Sequence, residues 1–473
     1  MMERKRTRLH FKNCIVWTGE IGSAAPREVL VADRHIAACE RQIDPTACRD
    51  AAIIDCGGAT LMPGLVDGHS HLSFLETANM VDWGFVPPEE HTIATMRNAE
   101  RVLLGGFTSC VGASSAKPRL DIAVRNEINA GRIPGPRLLA ATPEITVTGG
   151  LGDERMMHIY RESVGAVLDG ADEIRKYVRT MCREGCDIIK LNISGNNSLP
   201  NAPATATLMT QIEIDAAVTS AHAFGKRAMS HARSSESVQL SLKSGIDFIN
   251  HCEYADERTI DMLEEYKDRV FLAPAFGMLH NMLFEGEPWG ITRQQAQASG
   301  LADQVERCAN VYQKLRKRGL RVLIGGDYGF AWTPHGTNAR DLHHFVKWFG
   351  YSPEEALLCA TRNGADAMLM SGQIGRIQQG YLADFILVGG KPYEDVACLN
   401  AENILTTVKD GEPYGRNQWP ILNADAGDTV TLRRVATPLE RYDALKVRHP
   451  GITRSDSAHQ LTGSGPFLQQ SRL

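Results

Sequence analysis

The residues best suited to chemistry lie at the end of an apolar run. Pro63-Gly64-Leu65-Val66-Asp67-Gly68-His69-Ser70-His71 reads as a β-strand finishing in His-x-His. At the strand period of two, the imidazoles of His69 and His71 project to the same side. Two such nitrogens can grip a borderline cation such as Zn²⁺; an exposed histidine pair is the plainer alternative. Four more ligand-type residues end other apolar runs. Lys190 sits within Ile188–Ile193, an unusual place for a charge. Burial disfavours its ammonium form. The neutral amine can then take up CO₂ and become a carbamate, an oxygen donor able to bridge two metals. Taken alone, Lys190 is better read as snorkelling to solvent or pairing with a nearby Asp. His231 and His251 each close a run, and a single histidine is more often a hydrogen-bonded core residue than a ligand. Asp327 follows Ile324-Gly325-Gly326, whose glycines clear space beside it. That carboxylate could bind metal and shuttle a proton, or cap the next helix. Tyr328 could donate a hydrogen bond to an oxyanion.

What would position these groups is legible in the hydrophobic pattern. From about residue 61, short apolar runs alternate with helix-length amphipathic segments, including 211–225, 235–244 and 303–318. This is the signature of βα units and a parallel barrel, and uninterrupted apolar runs suit strands buried on both faces. Barrels of this kind gather their active sites at strand C-termini. Six metal-capable groups at such termini are hard to obtain by accident. Residues 8–60 instead show short strands between turns, as in a small β-sandwich. The same style returns at 372–412, with strands expected at Ile374–Ile377, Ala383–Val388 and Ile404–Gly411. The chain therefore reads as α/β: a (β/α)8 TIM barrel over 61–371 and a composite β-sandwich from 1–60 and 372–415. The polar stretch 416–473 reads as a surface arm or a disordered tail.

Composition narrows the function classes. The 473 residues carry a net charge of −5 and are 43% hydrophobic, without the basic footprint that nucleic acid requires. No apolar run is long enough for a membrane span, and no apolar core follows the basic start, so a cytoplasmic protein is expected. The 11 cysteines form no CxxC pair and read as reduced thiols; Cys252, next to His251, reads as a buried small apolar residue. Gly149-Gly150-Leu151-Gly152 lacks the GK[ST] ending of a phosphate loop and reads as a flexible loop.

Together, PGLVDGHSH, IIKLNISG, SHARS, NHCEY and GGDYG resemble the amidohydrolase superfamily over about residues 8–412. The resemblance is to the branch in which a carboxylated lysine bridges two metals. GGDYGFAWTPHG and HCEY are most similar to phenylurea and molinate hydrolases; prolidase-like enzymes, imidazolonepropionase and ochratoxinase are more distant. The resemblance implies His69, His71 and Asp327 as ligands of the more buried metal, His231 and His251 as ligands of a second, and the Lys190 carbamate as the bridge. It implies one or two divalent ions, with Zn favoured over Co or Mn. The implied reaction is attack of a metal-activated hydroxide on an amide-like C–N bond, with Asp327 moving the proton. By analogy it implies a homo-oligomer. Arg233 stands where ochratoxinase-like enzymes often carry a second histidine, and it could clamp a carboxylate or carbonyl.

His158, Asn192, Asn196 and His335 are further candidates for substrate contact, in loops after strands. Phe276, Met278, Met282, Phe284, Trp289, Phe330 and Trp332 would favour an apolar or aromatic substrate if several reach the pocket. The expected partner is a small molecule. Competing readings are an Xaa-Pro dipeptidase or N-acyl amino acid hydrolase, a mononuclear deaminase and a non-catalytic scaffold. The deaminase ranks lower because Ser234 replaces the usual glutamate and Lys190 would have no role. The scaffold ranks lower because all six ligands are present.

Overall fold

The computed structural model describes residues 8–159, 161–197, 199, 201–415 and 429–431. Short strands near the N-terminus build the core of one sheet: β1 (Arg8–Val16), β2 (Ala25–Ala32), β3 (His35–Glu40), β4 (Ala52–Asp55) and β5 (Thr60–Pro63). Apolar residues such as Leu9, Phe11, Val29 and Val31 turn inward from these strands.

The next strand, β6 (Leu65–Ser70), is buried along its whole length and enters a different layer. Seven further runs stand beside it. β7 (Phe107–Gly112) and β8 (Arg137–Leu139) follow in parallel order, and Ala141 bridges to Ile188. A short pair, β9 (Ile145–Thr146) and β10 (Ala166–Val167), flanks the fourth stave. The row continues through β11 (Ile188–Asn192), β12 (Arg227–Ser234), β13 (Phe248–Tyr254) and β14 (Phe271–Ala273). Leu272 then bridges Val322, and Tyr328 bridges Ser70, where the row began. Eight parallel staves thus close into the expected (β/α)8 barrel. The helices Gln211–Ala223, Ser235–Ser244 and Leu301–Lys317 occupy the segments that showed helical periodicity. No helix among the described residues is long and apolar enough to cross a membrane.

The eighth stave, 322–328, makes isolated bridges rather than a regular ladder, unlike the strand its apolar run suggests. Close approach explains this. A Cβ added at Gly325 would lie 2.6 Å from the backbone nitrogen of His69, so the stave presses against β6 as only glycine permits.

The C-terminal return supplies β15 (Phe385–Val388), β16 (Ile404–Lys409) and β17 (Glu412–Tyr414). β15 pairs antiparallel with β5, and Phe11 meets Phe385 edge-on at 5.0 Å, so both ends of the chain share one sheet and one core. Two expectations need correction. Ile374–Ile377 is a turn rather than a strand, because Gly372 and Gly375 adopt left-handed φ of 80° and 82°. Thr429–Thr431, inside the expected arm, forms β18 beside β4. The rest of 416–473 lies outside the described residues, as do residues 1–7. All 11 cysteines are free, and Cys252 is buried as expected.

Arg137 fastens the two layers. It reaches from β8 to Asp384 at 2.6 Å and to Asp410 at 2.8 Å. Asp384 is almost fully buried, so losing Arg137 would leave a buried carboxyl group without this partner. Arg137→Ala is expected to destabilise the protein by about 3 kcal/mol, read as a lower chemical-denaturation midpoint with the slope unchanged.

Candidate metal centre

The barrel brings the six ligand-type residues to one end, from five staves. His69 and His71 close β6, Lys190 lies in β11, His231 in β12, His251 in β13 and Asp327 in the eighth stave. The Nε2 atoms of His69 and His71 lie 3.1 Å apart, and Asp327 Oδ1 lies 3.0 Å from His71 Nε2 and 3.6 Å from His69 Nε2. His69, His251 and Asp327 each offer a ligand atom within 4.8 Å of the others. The rings of His231 and His251 are 4.1 Å apart, and those of His69 and His251 5.4 Å.

The backbone is strained where these ligands turn inward. His251 has φ of 79° and Asp327 of 62°, left-handed values at non-glycine residues. Such conformations cost about 1–3 kcal/mol each and cluster at functional sites.

The donor chemistry suits a cation. His71 Nδ1 lies 3.0 Å from Ser114 Oγ and 3.4 Å from the Ser114 carbonyl oxygen, which favours its proton there and leaves the Nε2 lone pair free. His231 Nε2 faces the Gly195 carbonyl at 3.2 Å. Arg233 Nε donates to the same nitrogen at 3.1 Å, so the guanidinium and the carbonyl both converge on His231 Nε2. Both ring nitrogens of His251 and Nδ1 of His69 are buried without a hydrogen-bond partner among the described residues. Buried polar atoms in native proteins nearly always find partners, and a metal ion would satisfy one nitrogen of His251.

Burial keeps His69, His231 and His251 neutral. Burial lowers His69 to about 4 against the pull of Asp327, and burial followed by repulsion from Arg233 drives His231 and His251 well below the usual range. Burial alone would raise the Asp327 carboxyl, but His69 and His71 hold it well below the ordinary value. Lys190 is 1% exposed, and burial lowers its amine to about 8 against Glu144 and Asp327. That direction is the one the sequence implied.

A cavity of about 660 Å³ opens over these residues. Arg233 and Asn196 line it, as expected. The other proposed substrate contacts do not. His158 is exposed and does not line the cavity, although its loop neighbours Glu154 and Arg161 do. Asn192 is buried and donates from Nδ2 to the Leu151 carbonyl at 3.0 Å. His335 braces the ligand strand instead, with Nδ1 3.0 Å from Glu76 Oε1 and Nε2 3.0 Å from the His71 carbonyl oxygen. Tyr328 is buried against Gly277 and Gly326 and does not reach the cavity, so it is not placed to steady an oxyanion. Met278, Met282, Phe330 and Trp332 line the apolar wall, whereas Phe276 packs in the core and Phe284 and Trp289 stay partly exposed.

Sequence reasoning missed Glu253, Gln304 and Glu144. Glu253 binds the Arg233 guanidinium, and Gln304 Nε2 donates to Glu253 Oε1 at 2.6 Å. Glu253 stands two residues after His251, a spacing that could have flagged it. Gln304 and Glu144 gave no comparable signal, since neither closes an apolar run.

Residues 60–413 match the sequence model of the amidohydrolase family. The chain belongs to that family. Ochratoxinase from Aspergillus niger is 25% identical over 376 residues, 74% of each chain. A crystal structure of an Xaa-Pro dipeptidase with bound methionine superposes on this amidohydrolase with a TM-score of 0.77 at 24% identity, covering 87% of this chain and 100% of that one. Molinate hydrolase superposes with a TM-score of 0.70 at 17% identity, covering 87% and 95%. At these identities the two superpositions establish the shared fold.

The buried imidazoles set a pH dependence for the metal-free amidohydrolase. An unfolded chain protonates His69 near 6.5, whereas the folded chain resists until about 4. Between those values the unfolded state binds more protons, so stability falls as pH falls. Chemical denaturation of chelator-treated protein is expected to give a lower midpoint at pH 5 than at pH 7, and His69→Asn should flatten that slope.

Proposed function

We propose that the protein is a metal-dependent hydrolase that cuts an amide-like C–N bond in a urea, thiocarbamate or amide carrying an apolar or aromatic group. The observation that carries this reading is the convergence of neutral, partly unpartnered imidazoles with one ionised carboxylate at the mouth of an apolar-walled cavity.

His69, His71 and Asp327 would hold a first divalent ion, and His231 and His251 a second, with Lys190 between them as its carbamate. Zn suits the nitrogen and oxygen donors best, and Co or Mn is compatible. Bound there, the metal supplies hydroxide near neutral pH and polarises the substrate carbonyl. Asp327 is ionised and contacts the ligand nitrogens, so it can accept the proton of the attacking water and pass it to the departing nitrogen. The low-lying amine of Lys190 presents a neutral fraction for carboxylation near pH 8. Ser114 fixes the tautomer of His71 through its other ring nitrogen. Phe330, Trp332, Met278 and Met282 exclude water around the scissile group.

Arg233 favours a second reading within the same chemistry, hydrolysis of a dipeptide or N-acyl amino acid. Its guanidinium lines the cavity and is aimed by Glu253 and Gln304. It could take a carboxylate or the substrate carbonyl. A mononuclear deaminase is disfavoured on local grounds. Ser234, at the position of the glutamate those enzymes use, accepts from Ser237 N at 3.2 Å and caps the helix Ser235–Ser244.

Aryl ureas, thiocarbamates, N-acyl amino acids and dipeptides should be offered to Zn-, Co- and Mn-loaded protein. Cleavage of one class, lost on chelation and regained with metal, is expected; inertness toward every class with every metal overturns the reading. His69→Ala and Asp327→Asn should each lower turnover at least about 10²-fold. Lys190→Ala should lose activity and recover part of it with added propionate, while metal analysis reports how many ions remain bound.

A further inference from the structure

One acid in the cavity has no role in the chemistry above. Glu144 lies in the loop just ahead of β9 and is 7% exposed. Its Oε2 is buried with no hydrogen-bond partner among the described residues, and the side chain lines the cavity beside Lys190. Lys190 feels its field but comes no nearer than that, since no cation of the described residues reaches ion-pair distance of Glu144. A buried carboxyl oxygen without a partner is costly, and structures keep such a group where a ligand completes it.

The surroundings define what that ligand carries. Asp153, also on the cavity wall, is already matched by Arg155 at 2.9 Å, and Arg233 is matched by Glu253. Glu154 adds a second acid to the wall near Glu144. Gly152, at φ of 90°, keeps space open there, since a Cβ on it would sit 3.2 Å from Glu144 Oε2. Arg161, which donates from Nε to the Glu154 carbonyl, brings one cation to the same wall, and the far wall is apolar.

We propose that Glu144 recognises a protonated amine on the substrate, so that the scissile bond belongs to a compound with a free ammonium near its carbonyl and an apolar side group, as in an aminoacyl amide. Glu144 and Lys190 line the same cavity, so one small molecule can meet both. This rests on the hydrolase reading for the identity of the bond, although amine recognition can be measured without turnover.

The test compares matched pairs on Zn-loaded full-length protein: methionyl and leucyl dipeptides with a free amine against the same compounds N-acetylated. The free-amine members are expected to show kcat/KM higher by about tenfold or more, carried mainly in KM. Glu144→Gln, which keeps the shape and removes the charge, should shrink that ratio toward one. Circular dichroism and bound-metal content establish that the variant is folded and loaded. Calorimetric titration with leucine and with N-acetylleucine provides a readout free of catalysis, with the same preference expected in the wild type and lost in Glu144→Gln. Equal handling of both members, or a preference that survives Glu144→Gln, overturns the amine proposal and leaves the hydrolase reading standing. A Glu144-dependent preference in binding with no cleavage of either member supports the amine site and counts against the hydrolase reading.

Discussion

The barrel's mouth is organised around one carboxylate held among buried imidazoles. Asp327 is ionised in a place where burial alone would protonate it, and it stays so because His69 and His71 stand within 3.0–3.6 Å. The same burial strips protons from His69, His231 and His251. A site of neutral nitrogen donors and one negative oxygen donor is poised for a cation, and the rest of the end of the barrel maintains that state.

Support comes from residues that do not touch the centre's middle. Ser114 selects the His71 tautomer, His335 pins the His71 backbone, and Gly325 lets the eighth stave close on the first. Left-handed backbone at His251 and Asp327 turns both side chains to the cavity at an energetic cost that only a tightly packed barrel sustains. The buried Arg233–Glu253 pair works differently. Breaking such a pair is strongly destabilising, yet keeping it adds little net stability. Its value here lies in geometry, since Gln304 and Glu253 leave the guanidinium few orientations.

Much of this was written in the sequence. The strand period places His69 and His71 on one side, the apolar runs mark the staves, and the motifs around Lys190, His231 and His251 mark three of them, although those strands run two or three residues past the ligand. Those signals are local, and local chemistry is what sequence spacing encodes. The composite sandwich was legible for the same reason, as strand-like runs at both ends of the chain. The strand expected at Ile374–Ile377 failed because two glycines there adopt left-handed backbone, which apolar pattern does not reveal.

What only the tertiary structure decided is which loop residues face the cavity. His158, Asn192, His335 and Tyr328 all sit near strand ends in sequence, yet they stand exposed, brace a loop, brace a ligand or pack in the core. Glu144 and Gln304 lack any sequence mark and still reach the cavity or its Arg233 clamp. Spacing along a strand fixes direction because the backbone repeats; a loop has no such repeat, so its side chains take their direction from contacts made across the folded chain.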